Sequence, residues 1–268
     1  MRPPVALTIA GSDSGGGAGI EMDLKVFAAL GVFGACAITA LTAQNTTAVR
    51  GAWEAPPSIV TAQIEAVLDD LPVGAAKTGM LSSDSIVRAV VDVIRRRAFA
   101  PLVVDPVLVA KDGTRLLSDS GIAAVRDELL PLAAVVTPNI PEAEALAGIK
   151  IASEEDLPKA AAKLRALGCT WVLVKGGHLS GAEVTDLLLG PDGERSLISP
   201  RIPGGPFHGT GCALSAAITG HLARGRSIPE AVKAARLFLQ SLLLQAHALG
   251  GGALVLHPQS AASEAGSQ

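Results

Sequence analysis

The chain contains no tyrosine, and its aromatic side chains amount to five Phe and two Trp among 268 residues. That scarcity removes the platforms on which single-stranded nucleic acid usually stacks. A basic patch is also missing. The formal net charge is −3, and the densest cationic run, Arg95-Arg96-Arg97, closes a predicted helix, where positive charge suits the dipole. Nucleic acid is therefore not an expected partner. Cysteine is scarce: the three residues at 36, 169 and 212 have no metal-type spacing and leave an odd thiol, which fits a reducing, cytoplasmic compartment. No apolar run approaches a membrane span. The early stretch VALTIA is too short for a signal-peptide core and runs into a Gly/Ser loop without a cleavage-like site. A protein of the cytoplasm, with no membrane partner, is expected.

What is present is material for a core. Apolar residues make up 49% of the chain and charged residues only 18%. Short apolar runs at 5–10, 34–40, 74–77, 102–105, 133–137 and 171–175 read as strands. Between them, amphipathic stretches at 20–30, 57–71, 83–97, 121–130 and 154–167 read as helices. The strand runs are nearly all apolar rather than alternating, as in parallel strands covered on both faces. The expected fold is therefore α/β, one doubly wound domain with a mostly parallel sheet. Later the rhythm changes: EVTDLLLG and ERSLISPRI flank PDG and predict an antiparallel hairpin. Helices over 209–224 and 228–249 follow without a strand between them, and the small polar tail 258–268 is expected to fray.

Polar loops fall just after the predicted strands, along the edge where open α/β sheets bind ligands. The first, GSDSGGGAGIEMDLK, lets backbone approach a ligand and then starts a helix, but reads equally well as a flexible connection. No Lys-Ser/Thr follows its last Gly, so it is not a phosphate loop of that pattern. Asp23 is expected in the first turn of that helix. In TALTAQNTTAV, the Gln44 amide offers a donor and an acceptor suited to a ring bearing an amine beside a nitrogen, or the stretch is merely a polar turn. Asp105, before a proline in VVDPVLVAKDG, is placed to bind a metal or its water. Asn139 and Glu142 can share one helix face or complete an N-terminal cap, a pairing that prefers Ser or Thr first. Lys175 contacts phosphate or simply ends in solvent.

The stretch HGTGCALSAA sets Cys212 at a helix start between glycines. Backbone N–H groups there can converge on developing negative charge, each preorganised donor being worth about 3 kcal/mol. A thiol in such a nest is expected to have a lowered pKa and to accept a proton, whereas a lone Cys elsewhere is usually buried filler.

Taken in order, LTIAGSDSGGGAGIEMDLK, ITALTAQNT, KTGML, DPVLVAKDG, TPNIPEAEAL, VKGGH and HGTGCALSAA closely resemble the hydroxymethylpyrimidine/phosphomethylpyrimidine kinases of thiamin biosynthesis, members of the ribokinase-like superfamily. The resemblance spans roughly residues 6 to 249 and implies a three-layer ribokinase-like kinase domain over 1–257. It implies ATP and Mg²⁺ as cofactors, a small pyrimidine as acceptor, and a homodimer. By its pattern Gln44 hydrogen-bonds the aminopyrimidine, Gly11, Met80 and Val107 shape the pocket, and Asp23 lies nearby. Asn139 and Lys175 face the nucleotide, and Asp105 and Glu142 the metal. Gly209, Thr210 and Gly211 form an anion hole, and Cys212 stands where related sugar kinases carry an Asp base. This sequence departs from the usual pattern at Glu21-Met22, Phe33, Leu108 and Ala213, none of which carries an assigned role. Pyridoxal or pyridoxine kinases share the Gly-Thr-Gly-Cys signature and are the nearest rival. A non-catalytic sensor could do without Asp105, Glu142, Lys175 and Cys212, yet all are present.

Overall fold

The computed structural model describes residues 2–97, 101–109 and 116–259. Residues 110–113 of the DPVLVAKDG motif and most of the tail, from 260, lie outside the described residues. Nine strands form one sheet in the order β3-β2-β1-β4-β5-β6-β7-β8-β9. Its parallel centre consists of β2 (Phe33–Gln44), β1 (Val5–Asp13), β4 (Val73–Thr78), β5 (Leu102–Val104), β6 (Val135–Val136) and β7 (Trp171–Val174). Antiparallel β3 (Val49–Glu54) closes one edge, and the hairpin of β8 (Glu183–Gly190) and β9 (Gly193–Pro200) closes the other.

Side chains alternate between two apolar layers, which is why the central strands read as unbroken hydrophobic runs. Leu7, Val104, Val136 and Val172 face a cluster covered by α2 (Pro57–Asp70), α3 (Asp84–Arg97), α5 (Ile140–Ala147) and α6 (Leu157–Arg165). Ala6, Val103, Val135 and Leu173 face the opposite cluster, under α1 (Gly19–Ala29), α7 (Thr210–Ala223) and α8 (Ile228–Leu244). Helix α3 shows the cause at sequence level. Ile86, Val87, Val90, Val91 and Ile94 recur at helical spacing and are buried, while Arg95, Arg96 and Arg97 occupy its last turn.

Several expectations shift. Residues 121–130 are not one helix: α4 (Asp119–Ala124) passes into a wider turn over Val125–Leu129 and a tight one ending near Pro131. Helix α8 stops at Leu244, short of 249. A short parallel pair, β10 (Phe207–His208) and β11 (Leu254–Val255), joins the chain after α8 to the segment that enters α7. Strand β3 was not expected, because an edge strand with mostly exposed residues carries no apolar run.

Candidate active site

Chain order reverses at β1: β2 lies on one side and β4 on the other, so a crevice opens beyond their C-terminal ends. Gly11 and Met80 meet there. A Cβ on Gly11 would lie 2.3 Å from Met80 Cε, so the glycine is what admits the thioether. Gln44 is the last residue of β2. Ser14 holds its backbone, donating to Gln44 O at 2.8 Å and accepting from Gln44 N at 2.9 Å.

The glycine-rich turn is tied down. The buried Asp13 carboxylate accepts the N–H groups of Gly15, Gly17 and Ala18 at 2.8, 3.1 and 2.9 Å. His208 Nε2 lies 2.9 Å from Asp13 Oδ2. Burial alone would raise the Asp13 carboxyl, but His208 and the loop N–H groups hold it below the ordinary carboxylate range. These donors are therefore spent on a side chain of the protein. The glycines serve close packing instead: a Cβ on Gly17 would sit 2.3 Å from the His208 ring.

Beneath the crevice lies a fully buried ion pair. Lys77 Nζ donates to Asp23 Oδ1 and Oδ2 at 2.8 and 2.9 Å, and Thr8 Oγ1 donates to Asp23 Oδ2 at 2.6 Å. The first turn of α1 holds Glu21 rather than Asp23, which sits one turn further in and faces the sheet. Burial raises the Asp23 carboxyl against the pull of Lys77. For Lys77, burial is outweighed by the charges of Asp23 and Asp105 and by the hydrogen bond to Asp23, which raise its pKa.

A second pair stands beside it. Lys175 Nζ donates to Asp105 Oδ1 at 3.0 Å, Thr137 Oγ1 to the same oxygen at 3.1 Å, and Ser215 Oγ to Oδ2 at 3.1 Å. Burial would raise Asp105, yet Lys175 and Lys77 overcome it and lower its pKa. Val107 follows on the same turn, its N–H donating to Asp105 O at 2.9 Å. Asn139 and Glu142 form a complete capping box at the start of α5: Glu142 N donates to Asn139 Oδ1 at 2.9 Å and Asn139 N to Glu142 Oε2 at 2.8 Å. Asn supplies the oxygen that Ser or Thr would otherwise give. Burial pushes Glu142 up to about 7; Lys175 opposes that shift and Asp105 adds to it.

Helix α7 begins at Thr210, after Gly209 in the left-handed region at φ 77°, and no side chain caps it. The N–H groups of Gly209, Thr210, Gly211 and Cys212 thus lack intrahelical partners, the arrangement that helix starts offer to anions. A Cβ on Gly209 would fall 1.9 Å from Gly17 O, and one on Gly211 would fall 3.3 Å from Lys175 Nζ. Close approach to backbone requires the glycine at 209, whereas at 211 a side chain would only crowd the end of Lys175. Cys212 is half-buried over the two ion pairs. Its expected low pKa is not found. Burial pushes the thiol up to about 12, with Asp23 and Asp105 adding to the rise against Lys77 and the Gly19 N–H. A helix N-terminus does not overcome a dry setting with two carboxylates nearby.

A family model described as phosphomethylpyrimidine kinase matches residues 13–257. The chain belongs to that family. A hydroxymethylpyrimidine/phosphomethylpyrimidine kinase from Streptomyces coelicolor is 48% identical over 252 residues, covering 94% of this chain and 93% of that protein. Among solved structures, the phosphomethylpyrimidine kinase of Clostridium difficile superposes with a TM-score of 0.80 at 42% identity, covering 88% of this chain and 98% of that one. An ADP complex of Bacillus subtilis pyridoxal kinase gives a TM-score of 0.89 at 34% identity, covering 96% and 98%. Within this family member, Asp23, Asp105, Glu142, Lys175 and Cys212 converge on one charged centre, and Gly209, Thr210 and Gly211 adjoin it. Gln44, Gly11 and Met80 lie on the β1–β2–β4 side, while the Asn139 side-chain oxygen is taken by its cap. Lys77, Asp13, His208, Thr137 and Ser215 were not singled out from the sequence. Lys77 carried a signal all the same, a cation inside the apolar strand GAAKT.

Proposed function

We propose that the protein is an ATP-dependent kinase acting on 4-amino-5-hydroxymethyl-2-methylpyrimidine and then on its monophosphate, giving the diphosphate used for thiamin diphosphate synthesis. The observation that carries this reading is the uncapped start of α7, with Cys212 in it and two Lys–Asp pairs around it, in a chain of this family. Uncapped N–H groups at Gly209, Thr210 and Gly211 receive the transferred phosphoryl group, whose charge rises in the transition state. Lys175 faces the nucleotide phosphates, with Asn139 beside it. Gln44 reads the aminopyrimidine, with Gly11, Met80 and Val107 as pocket wall and Asp23 as the buried partner of Lys77.

In the first step the hydroxyl oxygen bonds to the γ-phosphorus, the bond to the ADP oxygen breaks, and the hydroxyl proton passes to sulfur. Cys212 rests as a thiol, so it first gives its proton to solvent water and then takes the hydroxyl proton as thiolate. Lys77 is the cation that favours the thiolate. In the second step the acceptor is an ionised phosphate and needs no base. Magnesium is normally held by one or two carboxylates together with phosphates and water. Two carboxylates would fit that mode: Asp105, held beside Lys175, and Glu142, which burial raises to about 7. Among the described residues no group of three or more His, Cys, Asp or Glu forms a closed metal cage, which agrees with a metal carried largely by the nucleotide. Magnesium there supplies neutralisation of phosphate charge.

Pyridoxal phosphorylation is the second reading, favoured by the 0.89 TM-score to the Bacillus subtilis pyridoxal kinase. We place the protein in the cytoplasm as a homodimer. Leu41 and Trp53 pair directly across β2 and β3 and are 55% and 63% exposed, an apolar face that a second copy would cover. ADP release with ATP–Mg²⁺ tests the function, using hydroxymethylpyrimidine, its monophosphate and pyridoxal in parallel. Turnover of both pyrimidines is expected; turnover of pyridoxal alone would overturn the acceptor assignment.

A further inference from the structure

Asp13 and His208 have no part in the roles above, yet they meet at Gln44. Asp13 is an ionised, acceptor-only carboxylate, so His208 Nε2, 2.9 Å from Asp13 Oδ2, carries the proton between them. The two terminal atoms of the Gln44 amide lie 3.3 Å from that nitrogen and 3.3 Å from Thr42 Oγ1. Amide nitrogen and oxygen are told apart by their partners. With nitrogen toward His208, donor would face donor. At the other end, the amide oxygen would meet a Thr42 hydroxyl whose only proton already goes to Ser12 O at 2.9 Å. With oxygen toward His208, the amide accepts from Nε2–H, which Asp13 shares, and its NH₂ donates to Thr42 Oγ1. Only this orientation satisfies both contacts, and it leaves one N–H and one oxygen lone pair for a ligand.

We infer that Asp13 and His208 are positioning residues that lock the Gln44 amide in one orientation, and thereby select an acceptor presenting an amine beside a ring nitrogen over one presenting a carbonyl beside an N–H. The inference rests on Gln44 reading the pyrimidine. An amide turned over would present the opposite donor–acceptor order and suit the oxo ring. The lock is stiff because Asp13 also gathers the turn N–H groups, Ser14 clamps the Gln44 backbone, and the His208 ring packs where a Gly17 Cβ would go. His208 directly precedes Gly209, so acceptor recognition and the anion site share one anchored segment.

Calorimetric binding of the aminopyrimidine and its 4-oxo counterpart tests this on Gln44→Ala, His208→Met and His208→Gln. Met and Gln are of similar length, but only Gln keeps a donor for Asp13. His208→Met is expected to weaken the aminopyrimidine about tenfold, as for loss of one well-placed hydrogen bond, and to shrink the amino-to-oxo preference. His208→Gln should restore that preference, and adding His208→Met to Gln44→Ala should cost nothing more. Equal behaviour of the Met and Gln variants, equal loss for both rings, or additive effects would each overturn the inference. If Gln44→Ala weakens binding while His208→Met does not, the inference alone fails. If Gln44→Ala has no effect, the acceptor role of Gln44 fails with it. Should His208→Met not fold, Thr42→Val frees the other end of the amide. It must then lower the amino-to-oxo preference, and an unchanged preference counts against the lock.

Discussion

Cys212 is held as a thiol by the surroundings that make it useful. Its folded pKa, about 12, lies above its ordinary value, so the protonated form is favoured in the native state and thiolate accumulates only as pH rises toward that figure. Site-resolved alkylation by iodoacetamide is therefore expected to climb roughly tenfold per pH unit through pH 10 without levelling. A plateau near pH 8 would show an activated resting thiolate. Under it, Lys77 and Asp23 are both fully buried, and removing one member strands the other. Lys77→Met should cost about 3–5 kcal/mol in urea unfolding, and Lys77→Met with Asp23→Leu should recover most of it. Neither partner's role was legible in the sequence. A Lys at a strand end normally reaches solvent, and an Asp early in a helix normally serves the dipole. Only the approach of α1 to β4 turns the two into a pair. The positions of Gln44 at a strand end, Asp105 just after one and Cys212 at a helix start were legible, because apolar runs and flanking glycines mark those boundaries.

At the scale of elements, α7 does the most. Its buried residues run without a break from Ala213 to Leu222, so it packs as a central helix and holds its N-terminus still. Gly209 fixes the entry. Gly209→Ala combines a left-handed backbone, costing about 1–2 kcal/mol, with a Cβ placed on Gly17 O. A lower melting temperature is expected, together with loss of both phosphorylation steps if the helix start receives the phosphoryl group as proposed; a variant that keeps either rate would detach the helix start from catalysis. The central strands were readable because burial on both faces leaves an apolar run. The edge strand β3 and the two-residue β10 and β11 were not, since their pairing depends on distant chain. Leu254 N reaches Pro206 O at 2.8 Å and Ala253 N reaches Thr46 O at 3.0 Å, contacts with no local sequence period.

For the molecule as a whole, six parallel strands end on one side of the sheet, and chain order reverses among them at β1. Where β2 meets β3, the same sheet leaves Leu41 and Trp53 exposed. Light scattering after gel filtration should give twice the chain mass, and Trp53→Asp should give a folded monomer; a monomeric parent protein would remove the dimer. On the proposed mechanism one site serves an alcohol and a phosphate acceptor, with a base needed only for the alcohol. The direct measurement is the turnover of Cys212→Ala with hydroxymethylpyrimidine and with its monophosphate under saturating ATP–Mg²⁺. Loss of a general base predicts a fall of about 10²–10⁴-fold in the first step, with the second step nearly unchanged. An equal fall in both would contradict it and leave Cys212 as part of the anion site alone.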